Sequence, residues 1–473
     1  MSNIKIVDSR DLVNGWRIVD DKTGNFRSRG LPFRYSYVGS FAQALSEFFV
    51  RVYSNPGDTI LDPFSGRGSV AMQSLFHGRH TVCNDLSAYS NVLTHSVLWV
   101  PHMEDVLSYI EDLRLYIESD NGLDKIDTSY TGKGKGVEED IGVLYHPETF
   151  ANMVKLRNTL NSKKFIMGHG FGKYDSRYEH EIVMFIRAIS TQMMLGSSLT
   201  FNGIKIRGQD NTAIKSLLKY YKFLNEKAKN VDIFNNLKLY VEKMDKDHLG
   251  LKNKFDKLDR KLISCDAKNL DLPDKCIDGV VTSPPYFHVL CYGKSNWTRL
   301  WMLDSIGDPL VKNGMNPGKR KIADANMSDI HGKLYDKITD FTMSTLDNPN
   351  AYSNFTGQYL RELYRVLKDD AFAIIVVGNY GNKVKTEAWR IVVDRAVLFG
   401  FKCDMIINDR LNENTKASSQ ISAKRGGGGN DYDVCIVLTK GNYKMKNNPE
   451  DIDFRWGADL VDKRQRSVDD EWG

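Results

Sequence analysis

The sequence predicts an α/β fold: an open, largely parallel sheet with helices on its faces. Three observations carry that prediction. Short apolar runs that read as buried strands alternate with stretches whose apolar residues recur at helical spacing. Three of the strands end in an acid, at Asp62, Asp85 and Asp266. Two of the strand ends lead into sharp turns, one through Gly66 and Gly68 and the other through Pro284 and Pro285.

Residues 1 to 33 are polar and irregular and predict no element. From there Phe41, Ala44, Leu45, Phe48, Phe49 and Val52 recur at helical spacing, and Asn55-Pro56-Gly57 stops the helix. Asp58 to Asp62 reads as a short strand, Pro63 to Gly68 as a loop, and Val70 to Phe76 as the opening of a helix. Gly66 and Gly68 can take positive φ and let backbone approach a ligand, so this is where a nucleoside cofactor would sit, although a lone Gly-x-Gly also occurs without one. After Gly78 the strand His80 to Cys83 ends at Asn84-Asp85. Asp85 is placed to accept from ribose hydroxyls; an acid capping the helix that starts near Ser87 is the plainer alternative. The strand Leu262 to Cys265 ends at Asp266, followed by Ala267, and an acid there can accept from an adenine amino group. So many carboxylates are poorly matched to a pyrophosphate and well matched to a sulfonium-bearing nucleoside with an α-amino group, which favours S-adenosylmethionine over NAD or ATP.

Between the second and third acids, residues 101 to 255 read as a mainly helical insertion. Its charge shifts from 4 basic against 12 acidic residues over 101 to 150 to 19 against 9 over 151 to 254. The second part is either a solvated helical face or a polyanion surface, and the insertion either a lid on the sheet or a subdomain that grips phosphates. Val183 to Leu195 is too apolar for a surface helix and belongs in a core, whereas Lys215 to Lys229 is basic and amphipathic.

The apolar run Cys276 to Val281 reads as a buried strand, and Thr282-Ser283-Pro284-Pro285-Tyr286 must leave the sheet as a stiff, extended turn. That turn lifts a hydroxyl, two proline carbonyls and an aromatic ring off the carboxyl end of the sheet. Residues 304 to 350 form a polar stretch with Lys319-Arg320-Lys321, a candidate for target contacts. A helix over 355–367, a strand over 371–377, a helix over 384–399 and strands near 403–408 and 433–439 complete the series, the last two as a hairpin with Gly426 to Gly429 at its tip.

A chain of 473 residues, 41% hydrophobic and 26% charged, can bury a sizeable core. It shows no leader-like start and no run approaching about 18 apolar residues, so a cytoplasmic protein without membrane contact is expected. The six cysteines stand without paired metal spacing, so no metal site is expected.

The stretch Asp62-Pro63-Phe64-Ser65-Gly66-Arg67-Gly68-Ser69, taken with Thr282 to Tyr286, resembles the motif pair of the amino-group DNA methyltransferases, which methylate the exocyclic amine of cytosine or adenine in duplex DNA. Further stretches resemble bacterial members: Tyr37-Val38-Gly39-Ser40-Phe41, Tyr145-His146-Pro147-Glu148-Thr149, Asn296-Trp297-Thr298-Arg299-Leu300-Trp301, and Asp431-Tyr432-Asp433-Val434-Cys435-Ile436-Val437. The resemblance spans roughly residues 35 to 440 with gaps. Arg67 and Ser69 depart from the small residue and the Thr usual in that loop. The long segment before the third acid prevents assignment of a class by motif order.

The resemblance implies a Rossmann-like class I S-adenosylmethionine-dependent methyltransferase sheet. It is split into a cofactor half (1–100), the insertion (101–255), a catalytic half (256–445) and a polar tail (446–473). The expected cofactor set is Phe41, Asp62, Pro63, Phe64, Gly66, Gly68, Asp85, Asp266 and Ala267. The expected catalytic set is Ser283, Pro284, Pro285 and Tyr286, with Ser283 and the Pro284 carbonyl binding the amine hydrogens and Tyr286 stacking on a flipped base. The residue before the prolines is Ser in cytosine enzymes and more often Asp or Asn in adenine enzymes, which favours cytosine here; adenine is the alternative. An RNA methyltransferase and a non-enzymatic DNA-binding relative are further alternatives. Double-stranded DNA is the expected partner, and a cognate restriction endonuclease is left open.

Overall fold

The structure, a computed structural model, describes residues 4–8, 35, 37, 43–119, 131–134, 137–194, 199–204, 218, 221–222, 227–248, 251–286, 296–303, 349–380, 388–410 and 430–452. The strands are β1 (Lys5–Asp8), β2 (Thr59–Asp62), β3 (His80–Asn84), β4 (Thr131–Gly134), β5 (Val137–Asp140), β6 (Arg260–Ile263), β7 (Ile277–Thr282), β8 (Leu367–Tyr380), β9 (Lys402–Arg410) and β10 (Asn430–Thr439). Helices in the first part of the chain are α1 (Gln43–Tyr53), α2 (Ser69–Phe76), α3 (Ala88–Leu98) and α4 (Met103–Glu118). The remaining helices are α5 (Pro147–Asn161), α6 (Lys163–Ile166), α7 (Ser176–Gln192), α8 (Ile233–His248), α9 (Leu251–Phe255), α10 (Trp297–Met302), α11 (Pro349–Val366) and α12 (Ala388–Leu398).

Eight strands form one sheet in the order β6-β3-β2-β7-β8-β10-β9-β1. All neighbours are parallel except β10, which runs antiparallel between β8 and β9. This is the doubly wound α/β sheet expected from the sequence, with β1 added at one edge. The chain winds outward from β2 through β3 to β6, then returns to β7 and winds the other way. The order therefore reverses between β2 and β7, and open sheets of this kind bind ligands in the crevice above such a reversal.

Alternate residues of the central strands feed cores on opposite faces, as the two-residue period of a strand requires. Along β8, Phe372, Ile374 and Val376 pack with α1, while Ala373, Ile375 and Val377 pack with α11 and α12. A third core joins α2 and α3 to α4, α5, α7 and α8. The insertion thus shares its apolar interior with the helices that carry the Gly66 turn. In α7 Ile182, Val183, Phe185, Ile186 and Ile189 are fully buried there, as its apolar run requires.

Two elements differ from the sequence expectation. Lys5–Asp8 is a strand, paired in register from Lys5 with Met405 to Asp8 with Asn408. Four residues at a sheet edge carry no periodicity, and only the distant partner β9 defines them. In the mainly helical insertion, β4 and β5 form a small antiparallel pair.

The charge asymmetry also has a structural outlet. Acids of α4 pair with bases that follow: Asp112 with Lys173 at 2.9 Å, and Glu111 with Lys238. Part of the basic block is therefore spent within the insertion. The stretch Lys215 to Lys229 falls largely outside the described residues, as do most of 304–350 and Gly426 to Gly429. Among the described residues no helix is long and apolar enough to cross a membrane.

Candidate active site

Asp62, Asp85 and Asp266 lie at or just past the carboxyl ends of the neighbouring strands β2, β3 and β6; β6 ends at Ile263, two residues earlier than the sequence suggests, so Asp266 stands three residues beyond it. Asp62 is the last residue of β2 and is 3% exposed. Its Oδ1 accepts from the Thr282 hydroxyl at 2.6 Å and from the Phe64 amide at 3.2 Å. Burial is the main cause that pushes its carboxyl up to about 7; the Thr282 and Phe64 bonds oppose the shift, and the nearby Asp85 adds to it. A carboxyl held near neutrality this way gains from any cation that enters beside it.

Asp85 follows β3 directly, and both its oxygens are engaged. Oδ2 accepts from the Gly66 amide at 2.9 Å and Oδ1 from the Ser87 amide at 2.9 Å. Ser87 is itself the N-cap of α3. Asp85 thus pins the glycine turn to the start of α3. Burial raises its pKa as well. Asp266 is bound more locally, with Oδ1 accepting from the Lys268 amide at 3.0 Å and Oδ2 lying 3.3 Å from Lys268 Nζ. Ala267 beside it is buried.

The turn itself needs its glycines. Gly66 has φ 53° and Gly68 φ 82°, and Gly68 is the residue from which α2 starts. A Cβ on Gly66 would meet the Tyr37 ring at 3.3 Å. That ring covers the turn, stacks on Tyr89 with centroids 5.6 Å apart and shares a 2.8 Å hydrogen bond with Ser90. The Arg67 side chain turns inward instead, bonding the Tyr35 carbonyl at 3.1 Å and the Ser69 hydroxyl at 3.2 Å. The residues that depart from the family pattern thus bond each other. Phe64 leans edge-on against Tyr359 and Phe355 of α11. Pro63 is buried, and its carbonyl accepts from Asn84 Nδ2 at 3.0 Å. Phe41 lies outside the described residues.

At the end of β7, Ser283 to Tyr286 leave the sheet without regular structure, as the double proline dictates. Ser283 Oγ donates to the Tyr286 hydroxyl at 3.2 Å, and Pro284 is buried while Pro285 is half-buried. The Thr282 bond to Asp62 ties this turn to the glycine turn across the reversal of strand order.

Sequence reasoning missed several members of this assembly. Asn84, 1% exposed, joins three strand ends: it donates to Pro63, and its Oδ1 accepts from the Cys265 amide at 2.9 Å. Its place beside Asp85 was the available signal. Thr282 headed the Thr282–Tyr286 stretch, and Tyr37 and Asp433 lay in the stretches that resemble bacterial members, all three without an assigned role. Tyr286 donates to Asp433 Oδ1 at 3.5 Å.

The donor set fits a cationic nucleoside. Two buried carboxylates, Asp62 and Asp85, flank the turn, and Arg67, the basic side chain within it, is engaged with Tyr35 and Ser69. A sequence model of the DNA methylase family, which covers N6 and N4 enzymes, matches residues 10–92, a span holding β2, the glycine turn and β3. No curated protein matches the chain. Among solved structures, an S-adenosylmethionine-dependent methyltransferase from Methanosarcina mazei is 9% identical, with 82% of this chain and 95% of that chain covered and a TM-score of 0.29. The rRNA methyltransferase aviRa from Streptomyces viridochromogenes is 11% identical, with 86% and 88% covered and a TM-score of 0.27. Overlaps this loose add nothing to the strand order.

Proposed function

We propose that the chain is an S-adenosylmethionine-dependent DNA methyltransferase, a reading supported by the match of residues 10–92 to the amino-group DNA methylases, and that its target is the 4-amino group of cytosine in a base swung out of double-stranded DNA. The observation that supports the proposal is the Thr282–Asp62 bond, which ties the Ser-Pro-Pro-Tyr turn to the end of β2, where we place the cofactor.

S-adenosylmethionine supplies an electrophilic methyl group on a sulfonium. The chain's own work is binding and alignment. Asp62, Asp85 and Asp266, with Gly66 and Gly68, would hold the cofactor, assisted by Phe41, Pro63, Phe64 and Ala267. The exocyclic amine of cytosine is a poor nucleophile because its lone pair is delocalised into the ring. Acceptors at Ser283 and the Pro284 carbonyl bind the amine hydrogens and favour a pyramidal nitrogen. Tyr286 stacks on the extruded base and offsets part of the few kcal/mol of unstacking. Alignment of two bound reactants contributes up to roughly 7 to 11 kcal/mol in favourable systems, so no strong general base is needed.

The 6-amino group of adenine has the same local chemistry, and the preference for cytosine rests on the hydroxyl of Ser283. The insertion and residues 304–350 are proposed to meet the DNA, in a cytoplasmic setting with or without a companion endonuclease. Incubation with methyl-labelled cofactor and separate samples of DNA, RNA and protein tests the substrate class. Label in DNA alone is expected; label in RNA or protein and none in DNA would overturn the proposal.

A further inference from the structure

Asp433 lies on β10, opposite Gly378 of β8 and Asp409 of β9, and is 8% exposed. Its Oδ1 is 3.5 Å from the Tyr286 hydroxyl, which is 3.2 Å from Ser283 Oγ. The direction of these bonds is set by chemistry. A carboxylate only accepts, and a phenol has one hydrogen to give. With that hydrogen on Asp433, the Tyr286 oxygen is left to accept from Ser283. Ser283 has then given its only hydrogen away, and what it can offer a target is lone pairs. That is the polarity an exocyclic amine requires, whereas the reverse orientation would point a hydroxyl hydrogen at the amine hydrogens.

Asp409, directly across the antiparallel pair, is 3% exposed, so a second acid faces Asp433 across the sheet. The two hydrogen bonds are longer than the ordinary O–H···O length of about 2.7 Å, and such bonds tighten when a target is bound.

We propose that Asp433 is a positioning residue for methyl transfer, acting through Tyr286 to hold Ser283 as a hydrogen-bond acceptor for the target amine. This rests on the roles given to Ser283 and Tyr286 above. The test compares the full chain with its Asp433→Asn, Tyr286→Phe, doubly substituted and Ser283→Ala variants. Single-turnover methylation of duplex DNA is measured at saturating labelled cofactor, with cofactor affinity alongside. Replacing the charged acceptor by a neutral amide, which weakens the bond from Tyr286, predicts a rate about ten-fold lower for Asp433→Asn with cofactor affinity unchanged, and little further loss when it is added to Tyr286→Phe. An Asp433→Asn variant that keeps full rate, that loses cofactor affinity, or that costs as much with Tyr286→Phe as without it overturns the proposal. Tyr286→Phe cuts the same chain without touching the sheet, so full rate in that variant overturns it even if Asp433→Asn does not fold. Full rate in Ser283→Ala would instead sink the reading of the turn itself.

Discussion

The Thr282 hydroxyl donates to Asp62 Oδ1 at 2.6 Å, between the ends of two strands that are 220 residues apart in sequence. One bond therefore joins the turn expected to hold the cofactor to the turn expected to hold the target. Replacing Thr282 by valine keeps its volume and removes the hydroxyl. Because Thr282 is fully buried, Asp62 would lose a partner it cannot replace with water, costing about 1 to 3 kcal/mol of stability. Chemical denaturation should show this loss, and cofactor affinity should fall with it. Wild-type stability and affinity in the variant would remove Thr282 from the site.

Asp62 also predicts a pH dependence. Its carboxyl sits at about 7 in the folded chain, against 3.8 for an ordinary aspartate. The folded form therefore keeps a proton that the unfolded chain releases, so this group makes the cofactor-free protein less stable as pH rises from about 4 to about 7, with no further change above. A cation beside Asp62 favours the ionised form. Cofactor binding should then release a proton near neutrality and tighten as pH rises through about 7. Calorimetry in buffers of different ionisation heat measures that proton directly. Asp62→Asn should abolish the release, and pH-independent binding by the unaltered protein would contradict the placement of the cofactor.

Gly68 holds φ 82°, and a Cβ there would touch Thr94 and Val97 at 3.4 Å. The contact is tolerable; the backbone angle is not, at roughly 1 to 2 kcal/mol for an L side chain. Gly68→Ala should therefore cost stability of that order and weaken cofactor binding by loosening the start of α2. A variant as stable and as tightly binding as the parent would show that the turn relaxes elsewhere.

Much of the sheet could be read from residues because its central strands are short, apolar and bounded by turn residues, so local pattern and tertiary environment agree. The acids at 62, 85 and 266 were visible for the same reason: each interrupts an apolar run at its end. What could not be read depends on partners far away in sequence. Lys5–Asp8 is a strand only because β9 lies beside it, and Asn84 became a junction only when Pro63 and Cys265 met across it. Charge counting over 151 to 254 could not see that α4 returns acids to Lys173 and Lys238.

That internal pairing sharpens the expectation for DNA. Lysines already paired with carboxylates release few counterions when DNA binds, so the salt dependence should be steep but smaller than the bare charge of the insertion suggests. Titration of duplex binding at several salt concentrations gives the slope. Affinity indifferent to salt would leave the insertion a cover for the sheet and no more.

The most direct test of the account is the identity of the methylated nucleoside. Duplex DNA treated with the protein and S-adenosylmethionine, then digested and analysed by mass spectrometry, should yield N4-methylcytosine, and the yield should collapse in Ser283→Ala while cofactor binding persists. N6-methyladenine in its place would contradict the proposed base, and unmodified DNA from cofactor-bound protein would contradict the proposed reaction.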